Sequence, residues 1–312
     1  MRVLVAGAAG FIGSHLCDRL LGQGHEVVGV DSLVTGSIDN LAQALLHPSF
    51  RFIEHDVREA LRVDGPLDRV LNFASPASPV DFDRIPVHIL ETGSRGTQHL
   101  LDLAVSKGAR FFLASTSEAY GDPEVHPQPE TYLGNVSSTG PRSCYDEAKR
   151  YAEAVTMAYH RAHGLDVRIA RIFNTYGERM RPDDGRVVCT FIQQALTGQP
   201  LTVFGNGGQT RSFVHVDDEV SGLLAVIEGP VTGPVNVGNP DEVTMLELAH
   251  RVLSVTGSES VVQVLPLPAG RVGDPNRRCP DTSLLQSFSG WRPSVSLDDG
   301  LRRTAEWMST RL

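Results

Sequence analysis

The chain has 312 residues, 41% hydrophobic and 21% charged, ordinary values for a globular protein long enough for one large domain or two closely joined ones. A net charge of -9 excludes a general basic footprint for nucleic acid or an anionic membrane, so an anionic ligand needs local arginines. Cys17, Cys144, Cys189 and Cys279 show no C-x-x-C spacing and no accompanying histidine cluster, which argues against a zinc site or a disulfide framework; no metal is expected. Met1-Arg2 runs straight into Val3-Leu4-Val5, and no apolar run approaches the ~20 residues of a bilayer span, so a soluble cytoplasmic protein with no membrane partner is expected.

Val3-Leu4-Val5-Ala6 is a short apolar run suited to a parallel strand buried on both faces, and it delivers Gly7-Ala8-Ala9-Gly10-Phe11-Ile12-Gly13. This reads as strand, glycine turn, helix: Gly7 permits the turn, Gly10 lets backbone approach a pyrophosphate, and Gly13 allows close helix packing. The strand Glu26-Val27-Val28-Gly29-Val30 ends in Asp31, placed to accept hydrogen bonds from an adenosine ribose and to repel a 2'-phosphate. No Arg or Lys follows in Ser32-Leu33-Val34-Thr35-Gly36, so NAD is expected over NADP. A third strand, Phe50 to Glu54, leads to His55-Asp56-Val57, where Asp56 is a candidate acceptor for the adenine amino group.

Val70-Leu71-Asn72-Phe73-Ala74 is a fourth strand, followed by the stiff loop Ser75-Pro76-Ala77-Ser78-Pro79. A helix over 86–107 returns to the strand Phe111 to Ala114, which ends in Ser115-Thr116-Ser117-Glu118-Ala119-Tyr120-Gly121; hydroxyls and a carboxylate there are costly to bury without a partner. A helix over 141–163 puts Tyr145 and Lys149 on one face, and an ammonium beside a phenol predicts a lowered tyrosine pKa and a base near neutral pH. Val167 to Arg171 is a sixth strand. Strands alternate with helices to about residue 170, the pattern of an α/β, Rossmann-like, doubly wound parallel sheet.

After Arg171 the elements shorten, with helices near 187–197, 244–256 and 298–309 and a turn-rich Phe204-Gly205-Asn206-Gly207-Gly208. The segment Phe213 to Val216 and the helix after Asp217 are expected to rejoin the main sheet. The expected division is residues 1–172 as a NAD-binding domain, with 213–231 rejoining it, and 173–212 plus 232–312 as a smaller, interwoven C-terminal substrate domain. The long helices over 86–107 and 141–163 suggest a homodimer.

GAAGFIGSH with Asp31, the T-S-E-A-Y-G strand end, Tyr145-x-x-x-Lys149 and Arg171-Ile172-Phe173-Asn174-Thr175-Tyr176-Gly177 stand in the order and at the separations of a known family. Over essentially its whole length the chain resembles the extended short-chain dehydrogenase/reductases of the nucleotide-sugar branch. It is similar to the UDP-glucuronate decarboxylases, or UDP-xylose synthases, in 73–79, 114–128, 140–145, 179–186, 209–213 and 274–281, the last reading Asp274-Pro275-Asn276-Arg277-Arg278-Cys279-Pro280-Asp281. The resemblance implies UDP-glucuronate in, UDP-xylose and CO2 out, with NAD retained and recycled. It implies Tyr145, Lys149 and Thr116 as the groups acting on the C4 hydroxyl, and Glu118 as the group managing the water or proton at C5. NAD contacts implied are Gly7, Gly10, Phe11, Ile12, Gly13, Asp31, Ser32, Thr35, Gly36, Asp56, Val57, Phe73, Ser75, Tyr145, Lys149, Thr175 and Arg186. Substrate contacts implied are Pro76, Ser78, Glu118, Asn174, Thr190, Arg211 and Arg278, the two arginines gripping the UDP diphosphate.

Three positions depart from that pattern. Gly177-Glu178-Arg179 stands where G-P-R is usual, which predicts a looser lid loop. Glu91 stands where relatives commonly carry Lys, and Gly93 where they often carry Asn; a glutamate there would reverse the charge near the substrate. The rival activity is UDP-glucuronate 4-epimerase. That reaction calls for a cation in the lid helix to hold the carboxylate, and Val187-Val188-Cys189-Thr190-Phe191 offers none, so Thr190 favours decarboxylation. A 4,6-dehydratase is disfavoured by Ser117-Glu118 in place of an Asp-Glu pair, and a non-enzymatic dinucleotide sensor by the presence of Tyr145, Lys149 and Thr116 together.

Overall fold

The structure is a computed structural model and describes residues 1–266 and 277–312; Asp274, Pro275 and Asn276 of the last motif lie outside the described residues. The strands are β1 (Arg2–Ala6), β2 (Glu26–Asp31), β3 (Phe50–Glu54), β4 (Arg69–Asn72), β5 (Arg110–Thr116), β6 (Val167–Ile172), β7 (Thr175–Tyr176), β8 (Leu201–Phe204), β9 (Thr210–Ser212), β10 (Val214–His215), β11 (Pro234–Val237), β12 (Glu242–Thr244), β13 (Val262–Leu265) and β14 (Arg277–Arg278). The helices are α1 (Phe11–Gly22), α2 (Pro79–Arg84), α3 (Pro86–Glu91), α4 (Thr97–Lys107), α5 (Ser143–His163), α6 (Val187–Leu196), α7 (Val216–Glu228), α8 (Met245–Thr256), α9 (Ser283–Ser289) and α10 (Leu297–Ser309).

Among the described residues, seven strands form one parallel sheet in the order β11-β6-β5-β4-β1-β2-β3. The chain winds outward from β1 through β2 and β3, then crosses to β4 on the other side of β1 and winds the opposite way. That reversal opens a crevice beyond the carboxyl ends of β1 and β4, where doubly wound sheets take ligands. Both faces are covered: α1 and α7 pack with Val3, Val5, Leu71 and Phe112, while α4 and α5 pack with Leu4, Val70, Phe111, Leu113, Val167 and Ile169. A separate core around Phe191, Leu201, Leu248 and Leu301 holds α6, α8 and α10 together. No helix among the described residues is long and apolar enough to cross a membrane.

Three expectations are corrected. The strand that returns to the main sheet is β11, beside β6, whereas Val214–His215 pairs with Thr175–Tyr176 in a small sheet of its own. The helix over 86–107 is interrupted by a π turn at Thr92–Gly96. The cause is close packing: a Cβ on Gly93 would lie 2.6 Å from that of Ala148 on α5, and one on Gly96 would lie 2.8 Å from Val57. Finally, the loop carrying Glu178 is pinned. The Glu178 carboxylate is held by His215 at 3.1 Å and Arg303 at 3.0 Å, and Arg179 pairs with Asp18 of α1 at 2.6 Å. These polar contacts to α1, β10 and α10 replace the stiffness that a proline would give.

The departure at Gly93 is thereby explained by its neighbour, and it is testable. Gly93→Asn is expected to cost about 1–3 kcal/mol through overpacking, read as a lower thermal midpoint. Ala148→Gly in the same chain should recover much of that loss. Strictly additive losses in the double-mutant cycle would show that this contact is not the reason for Gly93.

Candidate active site

A cavity of about 1100 Å³ lies across the carboxyl ends of β1, β4, β5 and β6. The glycine turn forms its floor. Gly7 has φ +81, and a Cβ there would meet the Phe73 carbonyl carbon at 2.6 Å, while one on Gly13 would meet the Gly7 oxygen at 2.1 Å. Glycine at both positions lets β1, β4 and α1 close on one another. Helix α1 starts at Gly10 with no side-chain cap, so its first-turn N-H groups and positive dipole end face an incoming anion. The Ser75 hydroxyl lines the same cavity and is buried without a hydrogen-bond partner. An open helix terminus, a glycine cradle and an orphaned hydroxyl fit the pyrophosphate and ribose of a dinucleotide.

At the other end, α5 is docked on β5. Lys149 Nζ donates to the Ala114 carbonyl at 2.8 Å, and the Tyr145 ring stacks on Phe82 with centroids 5.2 Å apart. Thr116 ends β5, and its Oγ1 accepts from the Glu118 N-H at 3.2 Å, which caps the short helical turn Ser117–Tyr120 and fixes Glu118. The lowered tyrosine pKa expected from Lys149 is not found. Burial pushes the Tyr145 phenol up to about 12, with the Thr116 side chain and the Arg186 cation pulling the other way. Lys149 sits 5.8 Å from the ring centroid and is itself lowered by burial to about 8, so desolvation outweighs the neighbouring charge.

Glu118 is buried between two arginines. Arg278 grips it with both terminal nitrogens, at 2.6 and 2.9 Å, and Arg142 adds a third contact at 2.8 Å. Against the penalty of burial, Arg278 and then Arg142 hold the Glu118 carboxyl below its ordinary value, so it is ionised at neutral pH. Glu118 is therefore an acceptor here, and the Arg278 fork is turned onto Glu118 rather than toward a diphosphate. Arg211 lies beside Arg278 on the paired strands β9 and β14.

A family model for the NAD dependent epimerase/dehydratase family matches residues 3–238. The chain belongs to that family. Its relatives include UDP-glucuronic acid decarboxylase 1 of Danio rerio, 48% identical over all of this chain and 73% of that protein. UDP-glucuronic acid decarboxylase 6 of Arabidopsis thaliana is 50% identical over all of this chain and 90% of its own. Among solved structures, UDP-glucuronic acid 4-epimerase from Bacillus cereus, in complex with UDP-glucuronic acid and NAD, superposes with a TM-score of 0.88 at 29% identity, covering 100% of both chains.

In this family member the cavity brings together most of the residues singled out from sequence. Gly7, Gly10, Phe11, Ile12, Gly13, Thr35, Phe73, Ser75, Thr175 and Arg186 line it, as do Ser78, Thr116, Glu118, Tyr145, Lys149, Asn174, Thr190, Arg211 and Arg278. Six do not line it. Asp31 stands behind the rim, accepting from the N-H groups of Ala9 at 2.9 Å and Leu33 at 2.8 Å, with Ser32 and Gly36 on the loop it organises. Both oxygens of Asp56 are taken by Arg58, Val57 packs against Gly96, and Pro76 is buried in its loop. Glu91 is also outside the lining, and its carboxylate pairs with Arg58 at 2.8 Å.

Sequence reading missed Arg142 and Asp146. Arg142 was within reach, since it stands three residues before Tyr145 in a Gly-Pro-Arg turn. Asp146 gave no signal beyond its place after Tyr145; burial and then Glu118 raise its carboxyl to about 7. Ser78 and Arg186 also hold the lid, through the Asp184 carbonyl and side chain respectively.

The two-arginine setting of Glu118 makes a stability prediction. Arg278→Met leaves a buried carboxylate with half its compensation and is expected to cost about 3–5 kcal/mol at pH 7. Because the pairing lowers the folded-state pKa, its contribution is present above the ordinary glutamate value of 4.5 and fades as pH falls through the folded value. Urea unfolding of the variant and the parent should therefore converge toward acid pH; a loss independent of pH would show that packing, not charge, is what Arg278 supplies.

Proposed function

We propose that the protein converts UDP-glucuronate to UDP-xylose and CO2 by oxidation at C4, decarboxylation and re-reduction. The observation that supports this most is the ionised Glu118, fixed by Arg278 and Arg142 within the same cavity wall as Thr116, Tyr145 and Lys149. The roughly 50% identity to UDP-glucuronic acid decarboxylases over the whole chain supports the same activity.

Oxidation at C4 turns the substrate into a β-keto acid. The C5–C6 bond then breaks, CO2 leaves, and the electron pair passes into the C4 carbonyl as an enolate. NAD, which Gly7, Gly10, Ser75 and the open start of α1 would hold, would supply the hydride acceptor at C4 and a cationic ring that would add to Arg186 in favouring phenolate. Tyr145 accepts the C4 hydroxyl proton and later gives it back. A phenol raised by burial is a strong base once ionised, well matched to an alcohol. Thr116 would share the C4 oxygen, and Lys149, anchored on the Ala114 carbonyl, would supply an ammonium to the cofactor's nicotinamide ribose.

Glu118 works at C5. A carboxylate has about four acceptor positions. Among the described residues Arg278 and Arg142 bond Oε1 and Arg278 bonds Oε2, and Oε2 would also take the water that protonates the enolate. Thr190 on the lid helix bonds the Arg186 carbonyl at 3.1 Å and brings no charge to the substrate carboxylate. In this reading Arg211 takes the diphosphate and Asn174 the sugar. Residues 1–172, with α7 and β11, hold NAD, and the remaining elements hold the nucleotide sugar. A cytoplasmic homodimer is the expected working form.

The experiment is incubation of the purified protein with UDP-glucuronate, followed by mass spectrometry and proton NMR. The expected product is UDP-xylose with loss of CO2; UDP-galacturonate at unchanged mass would replace this reading with 4-epimerisation. Tyr145→Phe should lower turnover by about 10²–10⁴-fold while leaving UDP-glucuronate binding measurable by calorimetry.

A further inference from the structure

The face of α5 that lies on the sheet continues beyond Tyr145 and Lys149 to Glu153, one turn further on. Under it, alternate residues of β5 and β6 form an apolar floor of Phe111, Leu113, Val167 and Ile169, all fully or nearly fully buried. At the next step of that alternation the floor turns polar. Ser115 and Arg171 are register partners on the two strands, and both reach Glu153. Ser115 Oγ donates to Glu153 Oε1 at 2.5 Å, and Arg171 makes a two-pronged pair at 2.9 and 2.7 Å. Arg171 is held in turn over the Tyr120 ring at 4.6 Å. A fixed carboxylate is thus built into the wall directly behind Lys149, one helical turn away, with its neighbour on β5 holding the Lys149 ammonium.

We propose that Glu153 is a positioning residue for Lys149: its carboxylate, locked by Arg171 and Ser115, supplies the negative potential that keeps the Lys149 ammonium charged in the cavity wall. The inference rests on the reading that Lys149 acts beside Tyr145. The remaining charged groups on the elements packed against α5 are directed elsewhere. On α3, the π turn and α4, Glu91 faces Arg58 and Arg95, His99 bonds the Val57 carbonyl, Asp102 takes the Tyr159 hydroxyl, and Lys107 donates to Gly65. His88, on α3, is under the influence of Arg58 and Asp56. On the strands, Arg110 and Arg168 pair with Asp166; past β5, Glu118 is held by Arg278 and Arg142. On α5 itself Tyr145 is the cavity-side neighbour. Burial lowers Lys149 to about 8, and Glu153 is the charge that opposes the fall. An ammonium so close to losing its proton depends on that carboxylate for its charge at working pH.

The chain makes the test direct, because only two of its 28 basic residues are lysines, Lys107 and Lys149. Protein labelled with ¹³Cε,¹⁵Nζ-lysine gives two side-chain signals, and Lys107 serves as the internal reference. In the purified, NAD-loaded protein, Glu153→Gln should move the Lys149 titration down by roughly one pH unit. Arg171→Gln, which removes the cation and frees the Glu153 charge, should move it up. Opposite displacements are a signature that a general loosening of the fold does not produce. The alkaline limb of turnover, where Lys149 loses its proton, should follow each displacement. Should Glu153→Gln fail to fold, the upward shift in Arg171→Gln alone decides. An unmoved Lys149 signal, or a shift of the same sign in both variants, would overturn the proposal. The titration needs no substrate, so signals that move while the alkaline limb stays put would uphold the coupling and overturn instead the part given to Lys149 in the reaction.

Discussion

The site depends on the docking of α5 against the last residues of β5. Thr116, Ala114 and Ser115 receive, through side chain or backbone, the neighbourhood of Tyr145, Lys149 and Glu153, which are spaced at four-residue intervals along one helix face. Further back, the same interface is apolar and supplies the burial that holds the helix in place; at the strand ends it becomes polar and supplies chemistry. Because these polar groups sit on the rim of a close-packed layer, small displacements are resisted by the whole floor beneath them. Gly93 extends the constraint to the other side of α5, where Ala148 leaves no room for a larger residue.

Burial at this rim is costly for every charged group, and the structure answers the cost with fixed partners rather than solvent. Glu118 has Arg278 and Arg142, and Glu153 has Arg171. Tyr145 has no such partner in the wall, which is why its phenol is driven upward and not downward. The lid follows the same rule: Glu178, drawn down to about 2 by His215 and Arg303 against its burial, ties the loop between β7 and α6 to β10 and α10.

Much of this was legible in the sequence because it is local. The strand-glycine-helix start, the alternation to residue 170, and the four-residue spacing of Tyr145 and Lys149 each follow from short-range pattern. What was not legible depends on partners far apart in the chain. Arg278 meets Glu118 across 160 residues, and no spacing rule couples them. Asp56 reads as an open acceptor until Arg58, itself tied to Glu91 33 residues on, is seen to close on it. The π turn at Thr92–Gly96 exists because another helix presses on Gly93, a tertiary demand that helix propensity does not carry. The return of β11 to the main sheet was missed for a related reason: Phe213 to Val216 has the same apolar character as Pro234 to Val237, and only pairing separates them.

The near-exclusive use of arginine has a consequence in the site. Guanidinium stays charged at any pH the protein meets and offers a planar fork, so it suits Glu118 and Glu153, where a lost proton would leave a largely buried carboxylate uncompensated. Ammonium is a compact charge whose pKa burial readily lowers. Lysine is retained in the cavity wall at one position, Lys149, and there burial brings it to about 8. Permanent charges therefore hold the wall, and the group whose charge can change stands next to the group that moves a proton. An arginine at 149 would keep the charge but fix it, and its longer planar head would have to fit where a single nitrogen now reaches the Ala114 carbonyl. The wall thus uses guanidinium where a carboxylate must be gripped by a planar fork, and ammonium where a single charged nitrogen must stand beside the group that moves a proton.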